Sequence, residues 1–530
     1  KVLQLPTDNI IGNLDLSGWD NLGGPFTANN NPNLTGITHT YSSQPFIAYY
    51  AFYCGLVGNL DLSMLPGFGG YFRVYENPLL TGITHTASTE VFSEYDAGEC
   101  DLTGNLDLSM LSLGGIFDVE DNDKLTSITH GPSSTPVTTY RGYLCDLTGN
   151  HDMSPLSQLG GYINLRVNPN LTSVTHSPTP QTITWYQIDN CDLTGNHDMT
   201  WCPNLSGYLG LWSNDNLTSI THTASTGVFT SYNVGFCDLT GNLDLSMLPN
   251  LGGSFDVQNN IQLTSITHTS SPQNFTFYGM NTCDITGTHT LPFSGMGGQF
   301  FGSNNTSLTN IVHSATSEAF TTYKVASCQL TGNLDLSMLT ALGGAFECNT
   351  NGVLTSITHG ASSEVFTRYW AHICNLSGGP LDVSMLSALG GSFNVSSNAA
   401  LRNVIFPYTT QTFGNTSGGN SAFALNACDF GSYNVTGLSF KPLSGITMDT
   451  DSILGASVLL QNNNMPTEEV NEILADFEVI VGLNSVGWSG TTLNISGSNA
   501  APDSSTGAFN GIAAIHTLTG SPNNWIVTTT

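Results

Sequence analysis

Apolar and polar residues alternate in short runs that return at a fixed interval along most of the chain. The segment 251–273 carries the frame F-x-V-x-x-N-x-x-L-x-x-I, and the segment 274–296 carries Y-x-M-x-x-C-x-I. Strict alternation turns one face of a short strand inward. Because the two frames are versions of one motif, the unit is about 23 residues long and alternates between an asparagine type and a cysteine type.

The cysteine frame marks the period most clearly, since its cysteines return every 45 or 46 residues, which is two units. No single unit can bury its apolar face alone, so units must stack as coils. A buried Asn at each bend can bond backbone groups that the bend leaves unpaired. The pattern therefore predicts a β-rich repeat solenoid with one long parallel sheet. The periodic cysteines are Cys54, Cys100, Cys145, Cys191, Cys237, Cys283, Cys328 and Cys374.

The frame resembles the leucine-rich repeat family, whose pattern is L-x-x-L-x-L-x-x-N/C-x-L. It recurs as Phe72-Val74-Asn77 and Phe117-Val119-Asn122 in the asparagine form, and as Tyr186-Ile188-Cys191 in the cysteine form. The resemblance covers nearly the whole chain and implies a leucine-rich-repeat-like solenoid of alternating Asn and Cys coils. Departures occur at Phe300-Gly302 and at Cys348, where an inward apolar position is glycine or cysteine.

The regularity of the frame divides the chain into three regions. Residues 1–405 are expected to form the regular solenoid, and residues 406–445 form irregular repeats with an insertion at Gly414–Ser421. Residues 446–530 are expected to form the last repeats and a terminal cap. The chain starts at Lys1 in the middle of the pattern, from which we infer a processed, truncated or partly ordered N-terminus.

The cap is expected to contain the one helix, near 466–477. Pro466 marks its start. Leu493-Ile495 and Trp525-Val527 are expected to be closing strands. This region resembles the C-terminal parts of leucine-rich repeat proteins from tailed phages and bacteria of the Bacteroidetes group. Apolar residues at helical spacing are Val470, Ile473, Leu474 and Phe477.

Charge limits the partners of the chain. Only 9 Lys and Arg residues face 39 Asp and Glu residues, for a formal net charge of −30. Such a surface repels phosphate backbones and anionic lipids, which argues against nucleic acid and membrane partners. No apolar run reaches the roughly 18 residues of a membrane span. Abundant Thr, Ser, Asn and Gly favour an extracellular location, on a virion or a bacterial cell.

The periodic cysteines are expected to be buried free thiols. In coils of about 23 residues they lie two coils apart, roughly 9–10 Å at the usual strand spacing. This exceeds the roughly 7 Å that a disulfide can bridge between Cα atoms. If one coil instead took 46 residues, the cysteines would lie on neighbouring coils and some could pair.

Two further ladders raise the question of metal binding. A histidine ends each I-T-H-like triplet, again two coils from the next, too far for two imidazoles to share an ion. An aspartate recurs in N-L-D-L-S, where calcium binding is less favoured than hydrogen bonding at the turn. We therefore predict structural roles, no metal site and no cofactor. The histidines are His39, His85, His130, His176, His222, His268, His313 and His359, and the aspartates are Asp15, Asp61, Asp107, Asp244 and Asp335.

The sequence contains no catalytic motif such as G-x-S-x-G or H-E-x-x-H, so we expect a protein that is not an enzyme. Variation is concentrated instead at outward positions of the long sheet, where five of the nine basic residues fall together with many Tyr and Trp residues. Such residues dominate interface energies and also suit sugar rings, although aromatic residues also favour strands and pack across them. The expected ligand-binding residues are Tyr50, Phe52, Tyr71, Arg73, Tyr75, Arg141, Tyr143, Tyr162, Arg166, Trp185, Gln187, Asp189, Tyr208, Trp212, Arg368 and Trp370.

These features favour non-enzymatic recognition. The C-terminal resemblance implies a virion-associated, tail-fibre-like protein whose partner is a protein receptor or a glycan on a cell surface, with other virion or surface proteins as further partners. One alternative is a bacterial cell-surface adhesin that uses the same face. Another is a purely structural subunit of a fibre or sheath, with the aromatic face buried between copies.

Overall fold

The protein is a β-solenoid of about 17 turns with coils of about 23 residues, which confirms the fold class. It divides into two compact units, Lys1–Gln262 and Leu263–Thr530, and both contain the same kind of coil. The computed structural model describes residues 2–269, 273–402, 404–406, 412–413, 423–428, 447–448, 457–483, 492–507, 509–520 and 525–530.

Each regular coil contributes one strand to a parallel sheet of 24 strands, which is the long sheet that the alternating pattern predicts. The strands are β1 (Leu3–Gln4), β3 (Pro25–Thr27), β5 (Phe46–Tyr50), β7 (Phe68–Arg73), β9 (Val91–Asp96), β11 (Ser112–Asp118), β13 (Val137–Arg141), β15 (Leu159–Asn164), β17 (Thr182–Gln187), β19 (Gly207–Gly210), β21 (Phe229–Asn233), β23 (Gly253–Asp256), β25 (Phe275–Gly279), β27 (Gly298–Phe301), β29 (Phe320–Lys324), β31 (Leu342–Glu347), β33 (Phe366–Trp370), β35 (Gly390–Asn394), β37 (Thr412–Phe413), β38 (Phe423–Ala424), β39 (Thr447–Met448), β40 (Ser457–Leu459), β41 (Thr492–Asn494) and β42 (Ile526–Thr528). Beyond the regular coils, the two short strands β37 and β38 both pair with β35.

A second set of strands, here called the outer strands, pairs differently. They join only two by two, and the described residues form nine such parallel pairs, each of which links one coil to the next. The outer strands are β2 (Gly12–Asp15), β4 (Leu34–Thr38), β6 (Val57–Asp61), β8 (Leu79–Thr84), β10 (Thr103–Leu108), β12 (Lys124–His130), β14 (Thr148–Asp152), β16 (Asn170–Thr175), β18 (Thr194–Asp198), β20 (Asn216–Thr221), β22 (Thr240–Leu245), β24 (Gln262–His268), β26 (Gly287–Leu291), β28 (Leu308–His313), β30 (Thr331–Leu336), β32 (Val353–His359), β34 (Leu381–Asp382) and β36 (Val404–Ile405).

The core is a continuous contact between inward residues of neighbouring coils. Phe117, Tyr140 and Ile163 occupy one inward position on successive sheet strands, and all three are fully buried. The rings of Phe117 and Tyr140 lie 4.7 Å apart between centroids. Aromatic pairs at this spacing add to the stability gained by removing apolar surface from water.

Each bend after a sheet strand is held by the frame asparagine or cysteine. Asn168 Nδ2 donates to the carbonyl oxygens of Leu165, at 2.7 Å, and of Gly142 in the preceding coil, at 2.9 Å. Its Oδ1 accepts from the N–H of Leu147 at 3.0 Å. The residue before it, Val167, has φ of +57°, a strained conformation for a β-branched residue. The buried amide therefore satisfies backbone groups at a bend that the chain would not adopt alone.

The second glycine of the recurring G-G pair lets neighbouring coils approach closely at the start of the sheet strands. Gly161 has φ of +63°, and a Cβ atom there would lie 2.5 Å from the carbonyl oxygen of Thr138 on the neighbouring strand. Only glycine fits both the conformation and the space.

All eleven cysteines are buried free thiols, as predicted for the periodic ones. Asn77 bridges to Cys100 across neighbouring coils, so the cysteine and asparagine types alternate as expected. Each thiol replaces the amide in part: Cys100 Sγ donates to the carbonyl oxygen of Val74 at 3.4 Å. Cys348 is not a frame cysteine: it occupies the inward position after β31 in an asparagine coil, where its carbonyl oxygen accepts from the frame thiol of Cys374 at 3.4 Å, as the residue at this position does in other coils.

The cap contains the predicted helix, α1 (Thr467–Leu483), with Val470, Ile473 and Leu474 fully buried. The structure adds a second helix that the sequence analysis did not predict, α2 (Gly511–Thr519), which packs on α1. The strands β41 and β42 pair in parallel beyond β40, as expected for closing strands. The insertion Gly414–Ser421 and most of 406–445 lie outside the described residues.

Candidate functional site

The sheet strands lie in register, so outward residues form three rows that run across the coils. Arg73 lies beside Tyr50, and Asn164 lies between Arg141 and Gln187. The first row contains the predicted residues Tyr71, Tyr162, Trp185, Tyr208 and Arg368; the middle row contains Tyr50, Arg73, Arg141, Gln187 and Trp370; the last row, just past the strand ends, contains Phe52, Tyr75, Tyr143, Arg166, Asp189 and Trp212.

The predicted residues form separate groups within the sheet face. The N-terminal patch comprises Tyr50, Phe52, Tyr71, Arg73 and Tyr75. The central patch comprises Arg141, Tyr143, Tyr162, Arg166, Trp185, Gln187, Asp189, Tyr208 and Trp212, and both patches belong to the first compact unit. Arg368 and Trp370 belong to the second unit.

Most of these side chains are less exposed than the side chains of an open binding surface would be. Tyr71 is 44 % exposed and Trp185 is 36 % exposed, and Arg166 is also exposed. Asp189 is buried, and the remaining predicted residues are half-buried. The reason is that the side chains pack on one another across the coils, as cross-strand neighbours do.

The centre of the central patch is a column of three stacked rings. Trp185 lies 5.8 Å from Tyr162 at an interplanar angle of 22°, and 4.2 Å from Tyr208 at 16°. Both faces of the indole are therefore covered by neighbours. The column is rigid, and it presents ring edges rather than open ring faces to a ligand.

Asp189 positions the side chains around the column. The indole N–H of Trp185 donates to Gln187 Oε1 at 3.1 Å, and Gln187 Nε2 donates to Asp189 Oδ2 at 2.6 Å. Asp189 Oδ1 accepts from the backbone N–H of Trp212 at 2.8 Å. Burial raises the pKa of Asp189, and these hydrogen bonds oppose the rise. The carboxylate therefore belongs to the scaffold of the patch, although the sequence suggested a ligand contact.

Four of the five cations on the sheet face form ion pairs within the protein, two of them with the same carboxylate. Arg73 forms a two-pronged pair with Glu94, at 2.8 and 2.7 Å, and Arg141 pairs with Asp118 at 2.9 Å. Glu347 Oε1 forms ion pairs with both Lys324 Nζ, at 3.2 Å, and Arg368 Nη1, at 3.0 Å. These partly buried pairs fix the geometry of the face more than they stabilise the fold.

Arg166 is the exception. Its guanidinium lies over the ring of Tyr143, 5.0 Å from the centroid, which orients it by a cation–π contact. In the part of the chain that the structure describes, Arg166 makes no ion pair. The central patch therefore contains one oriented, exposed cation, and its charge opposes the rise that burial causes in the pKa of the Asp189 carboxyl.

The N-terminal patch is a second aromatic cluster. Phe52 and Tyr75 stack at 4.8 Å with an angle of 4°, and Arg73 lies 5.5 Å from the ring centre of Tyr50. The sequence analysis missed Tyr53, which packs edge-on against both stacked rings and is 43 % exposed. Tyr53 directly precedes the frame cysteine Cys54, at the bend of the coil. This position in the repeat is the signal that could have identified it.

Acidic residues separate the two patches. Asp96 and Asp118 are neighbours in the middle row. Burial, followed by the charge of Asp118, raises the pKa of Asp96 to about 7. Burial also raises the pKa of Asp118, while its hydrogen bond with Arg141 opposes the rise.

The histidine ladder is structural, as predicted. Each of its histidines shares a hydrogen bond between Nε2 and the hydroxyl of the tyrosine ten residues later, as His130 does with Tyr140 at 2.9 Å. The sequence analysis overlooked His151, which also reaches Tyr140, at 2.7 Å, so that one hydroxyl joins two imidazoles. The same arrangement recurs in the triads His176–Tyr186–His197 and His268–Tyr278–His289.

The aspartate ladder serves the turns, as predicted. Asp107 Oδ1 accepts from the backbone N–H of Ser109 at 2.9 Å, and hydrogen bonds from this serine lower the pKa of Asp107. Asp15, Asp61, Asp244 and Asp335 accept in the same way from the residue two positions later. Among the described residues, no group of three His, Cys, Asp or Glu side chains is arranged to hold a metal ion.

Comparisons with protein-family models, with curated proteins and with solved structures find no match for this chain. Within the described residues, no helix is both long enough and apolar enough to cross a bilayer.

Proposed function

We propose that the protein is a non-enzymatic recognition protein whose sheet face binds a receptor or a glycan on a cell surface. The observation that supports this most directly is the central patch, where aromatic rings, one exposed cation and a rigid polar network meet on a single face. Tyr, Trp and Arg are the residues on which binding energy concentrates in interfaces.

The rigidity of the patch favours binding. The column of Tyr162, Trp185 and Tyr208 is already packed, so these rings lose little conformational freedom when a ligand arrives. Asp189 likewise fixes Gln187 and the backbone at Trp212 before any ligand is present. A site that only maintained the fold would not need rings of this size on the outward side.

The proposed setting is the surface of a virion, in a tail-fibre-like role, which follows from the C-terminal resemblance to leucine-rich repeat proteins of Bacteroidetes phages. The net charge of −30 suits an extracellular protein that avoids nucleic acids and anionic membranes. A bacterial adhesin would use the same face, and neighbouring tail genes or secretion genes would distinguish the two.

The test is binding of the labelled full-length protein to a panel of Bacteroidetes strains. We expect Trp185→Ala and Trp212→Ala to weaken binding at least about tenfold, which corresponds to roughly 1.4 kcal/mol. The matched control is Tyr41→Ala, which removes an aromatic ring that is 62 % exposed and lies outside the sheet face. Melting curves of the three variants separate lost binding from lost folding.

Two outcomes would contradict the proposal. If all three variants bind cells like the original protein, the sheet face is not the receptor site. If particle imaging shows this face covered by neighbouring subunits, the protein is a structural element of a fibre or sheath.

A further inference from the structure

The bends beside the N-terminal patch enclose an open cavity of about 450 Å³, here called the bend cavity. The N–H of Asn30 donates to the carbonyl of Phe52, and the N–H of Tyr53 donates to the carbonyl of Tyr75. The cavity therefore spans three successive coils, all within the first compact unit. Its lining residues are Asn30, Pro32, Tyr53, Cys54 and Glu76.

Tyr53 gives the bend cavity an aromatic wall. Phe52 and Tyr75 stack on each other at 4.8 Å, and their centroids lie 5.7 and 5.4 Å from that of Tyr53. Because these two distances are nearly equal, both rings contact Tyr53 from the same side, and at least one face of the phenol is left uncovered by them. An uncovered aromatic face attracts cations through its quadrupole.

Glu76 supplies a negative charge beside this ring. A hydrogen bond with the Glu76 carboxylate, followed by its charge, raises the pKa of the Tyr53 phenol, so the two groups are adjacent. Glu76 is half-buried, and it forms no ion pair with any described residue, whereas Glu94 and Asp118 each pair with an arginine. The bend cavity therefore combines an aromatic face with a carboxylate that lacks a cationic partner within the described chain.

The surroundings of the bend cavity favour a cation that belongs to a protein segment. The cavity is open to solvent, so a small free ammonium would touch it on one side only. The next two coils carry Glu99 and Asp121 at the same bend position as Glu76. Burial, followed by the charges of Glu76 and Asp121, raises the pKa of Glu99, because these carboxylates repel one another. A partner segment with several positive charges relieves this repulsion.

We propose that the bend cavity binds a lysine side chain of a basic protein segment, with the ammonium between the Tyr53 ring and the Glu76 carboxylate. The aliphatic stem of the lysine packs along Pro32, as long charged side chains do on apolar surfaces. This inference goes beyond the proposed function, because the cavity lies outside the central patch and takes a ligand of different chemistry.

The experiment measures fluorescence anisotropy of a labelled Gly-Lys-Gly-Lys-Gly-Lys peptide with the full-length protein in physiological salt. The neutral probe is the same peptide with acetylated lysines, and we expect it to bind at least about tenfold more weakly. Glu76→Gln should weaken binding of the lysine peptide at least about fivefold. The matched control is Glu364→Gln, which makes the same charge change at an exposed glutamate in the second compact unit and should leave binding unchanged.

Two substitutions of Tyr53 separate the role of the ring from that of its hydroxyl. Tyr53→Phe keeps the aromatic face and should keep most of the binding, whereas Tyr53→Leu should weaken it at least about threefold. Leu144 and Phe236 occupy the same bend position in other coils, so the backbone accepts both residues. Melting curves of the variants verify that each remains folded.

Equal losses in Glu76→Gln and Glu364→Gln would reduce the effect to net charge and overturn the inference. Full binding by Tyr53→Leu, no binding of the lysine peptide, or tighter binding of a glucosamine oligomer would also overturn it. In each of these cases, cell binding that depends on Trp185 and Trp212 would still support the proposed function. Conversely, peptide binding that requires Glu76 without any cell binding would support the bend cavity and contradict the proposed function.

Discussion

The bends of this solenoid depend on single buried side chains. Asn168 donates to two backbone carbonyls and accepts from one N–H, and of these groups the Leu165 carbonyl also accepts from the Cys191 thiol at 3.4 Å. A buried backbone group without a partner costs about 1–3 kcal/mol. The buried backbone groups at the bend therefore require the frame asparagine. This requirement explains why asparagine recurs at the bends while the outward residues vary.

Replacement of this amide should destabilise the protein strongly. We expect Asn168→Ala to lower the free energy of unfolding by about 3 kcal/mol or more, since the Leu147 N–H and the Gly142 carbonyl lose their side-chain partner and the Leu165 carbonyl keeps only the weaker bond from the Cys191 thiol. Amide hydrogen exchange at Leu147, whose N–H bonds Asn168 Oδ1, should accelerate. The matched control is Asn170→Ala, which removes an exposed asparagine bonded to Asp146 and should have almost no effect. Equal urea midpoints for the two variants would contradict this role.

Individual residues also show where the sequence is informative. Periodic positions predicted the bends, the thiols, the structural role of the histidines and the outward rows, because every coil repeats the same physical problem. The column around Trp185 and the network of Asp189 could not be predicted, because each occurs once and depends on side-chain conformations. The sequence identified Arg166 as one of five cations on the sheet face. Only the structure distinguishes it from the other four, because those four form ion pairs.

At the scale of elements, the two cap helices close the C-terminal end of the core. The helix α1 buries Val470, Ile473 and Leu474, and Phe477 contacts the ring of Trp525 at 5.7 Å. The helix α2 escaped prediction because it is only nine residues long and its apolar residues follow no repeat. The helix α1 connects β40 to β41 and α2 connects β41 to β42, so the helices take the place that outer strands have in the regular coils.

Loss of packing in the cap should loosen the terminal strands. We expect Ile473→Ala, at a fully buried position in α1, to cost about 2–5 kcal/mol and to accelerate hydrogen exchange in β41 and β42. The matched control is Ile512→Ala in α2, where the side chain is 41 % exposed. If both variants exchange alike, the first helix does not support the sheet end.

At the scale of the whole molecule, buried histidines couple stability to pH. Burial lowers the pKa of His151 and His197 to about 4 and that of His313 to about 3. The folded protein resists protons that the unfolded chain accepts near pH 6.5, so stability is complete above this pH and falls as pH decreases towards the folded values. Buried carboxyls with raised pKa, which include Asp96 and Asp189, act in the opposite direction but are fewer.

The melting temperature should therefore fall between pH 6.5 and pH 4. We expect His151→Leu, which introduces the residue found at this position in other coils, to reduce that loss by up to roughly 3 kcal/mol and to leave neutral stability nearly unchanged. Tyr140 keeps its hydrogen bond with His130 in this variant. The control His516→Gln changes an exposed histidine and should keep the slope, and a melting temperature independent of pH would contradict the coupling.

Because the outer strands pair two by two, the pairing restricts how the number of coils can change during evolution. The outer strand of a single coil has no pairing partner. In a pair of coils, one with asparagine and one with cysteine at the bend, the two outer strands pair with each other. Gene duplication or deletion should therefore preserve the protein only in steps of two coils. A change by one coil would place two coils of the same type, either two with asparagine or two with cysteine, on adjacent turns and would leave one outer strand single. Relatives of different length should differ by multiples of the double coil.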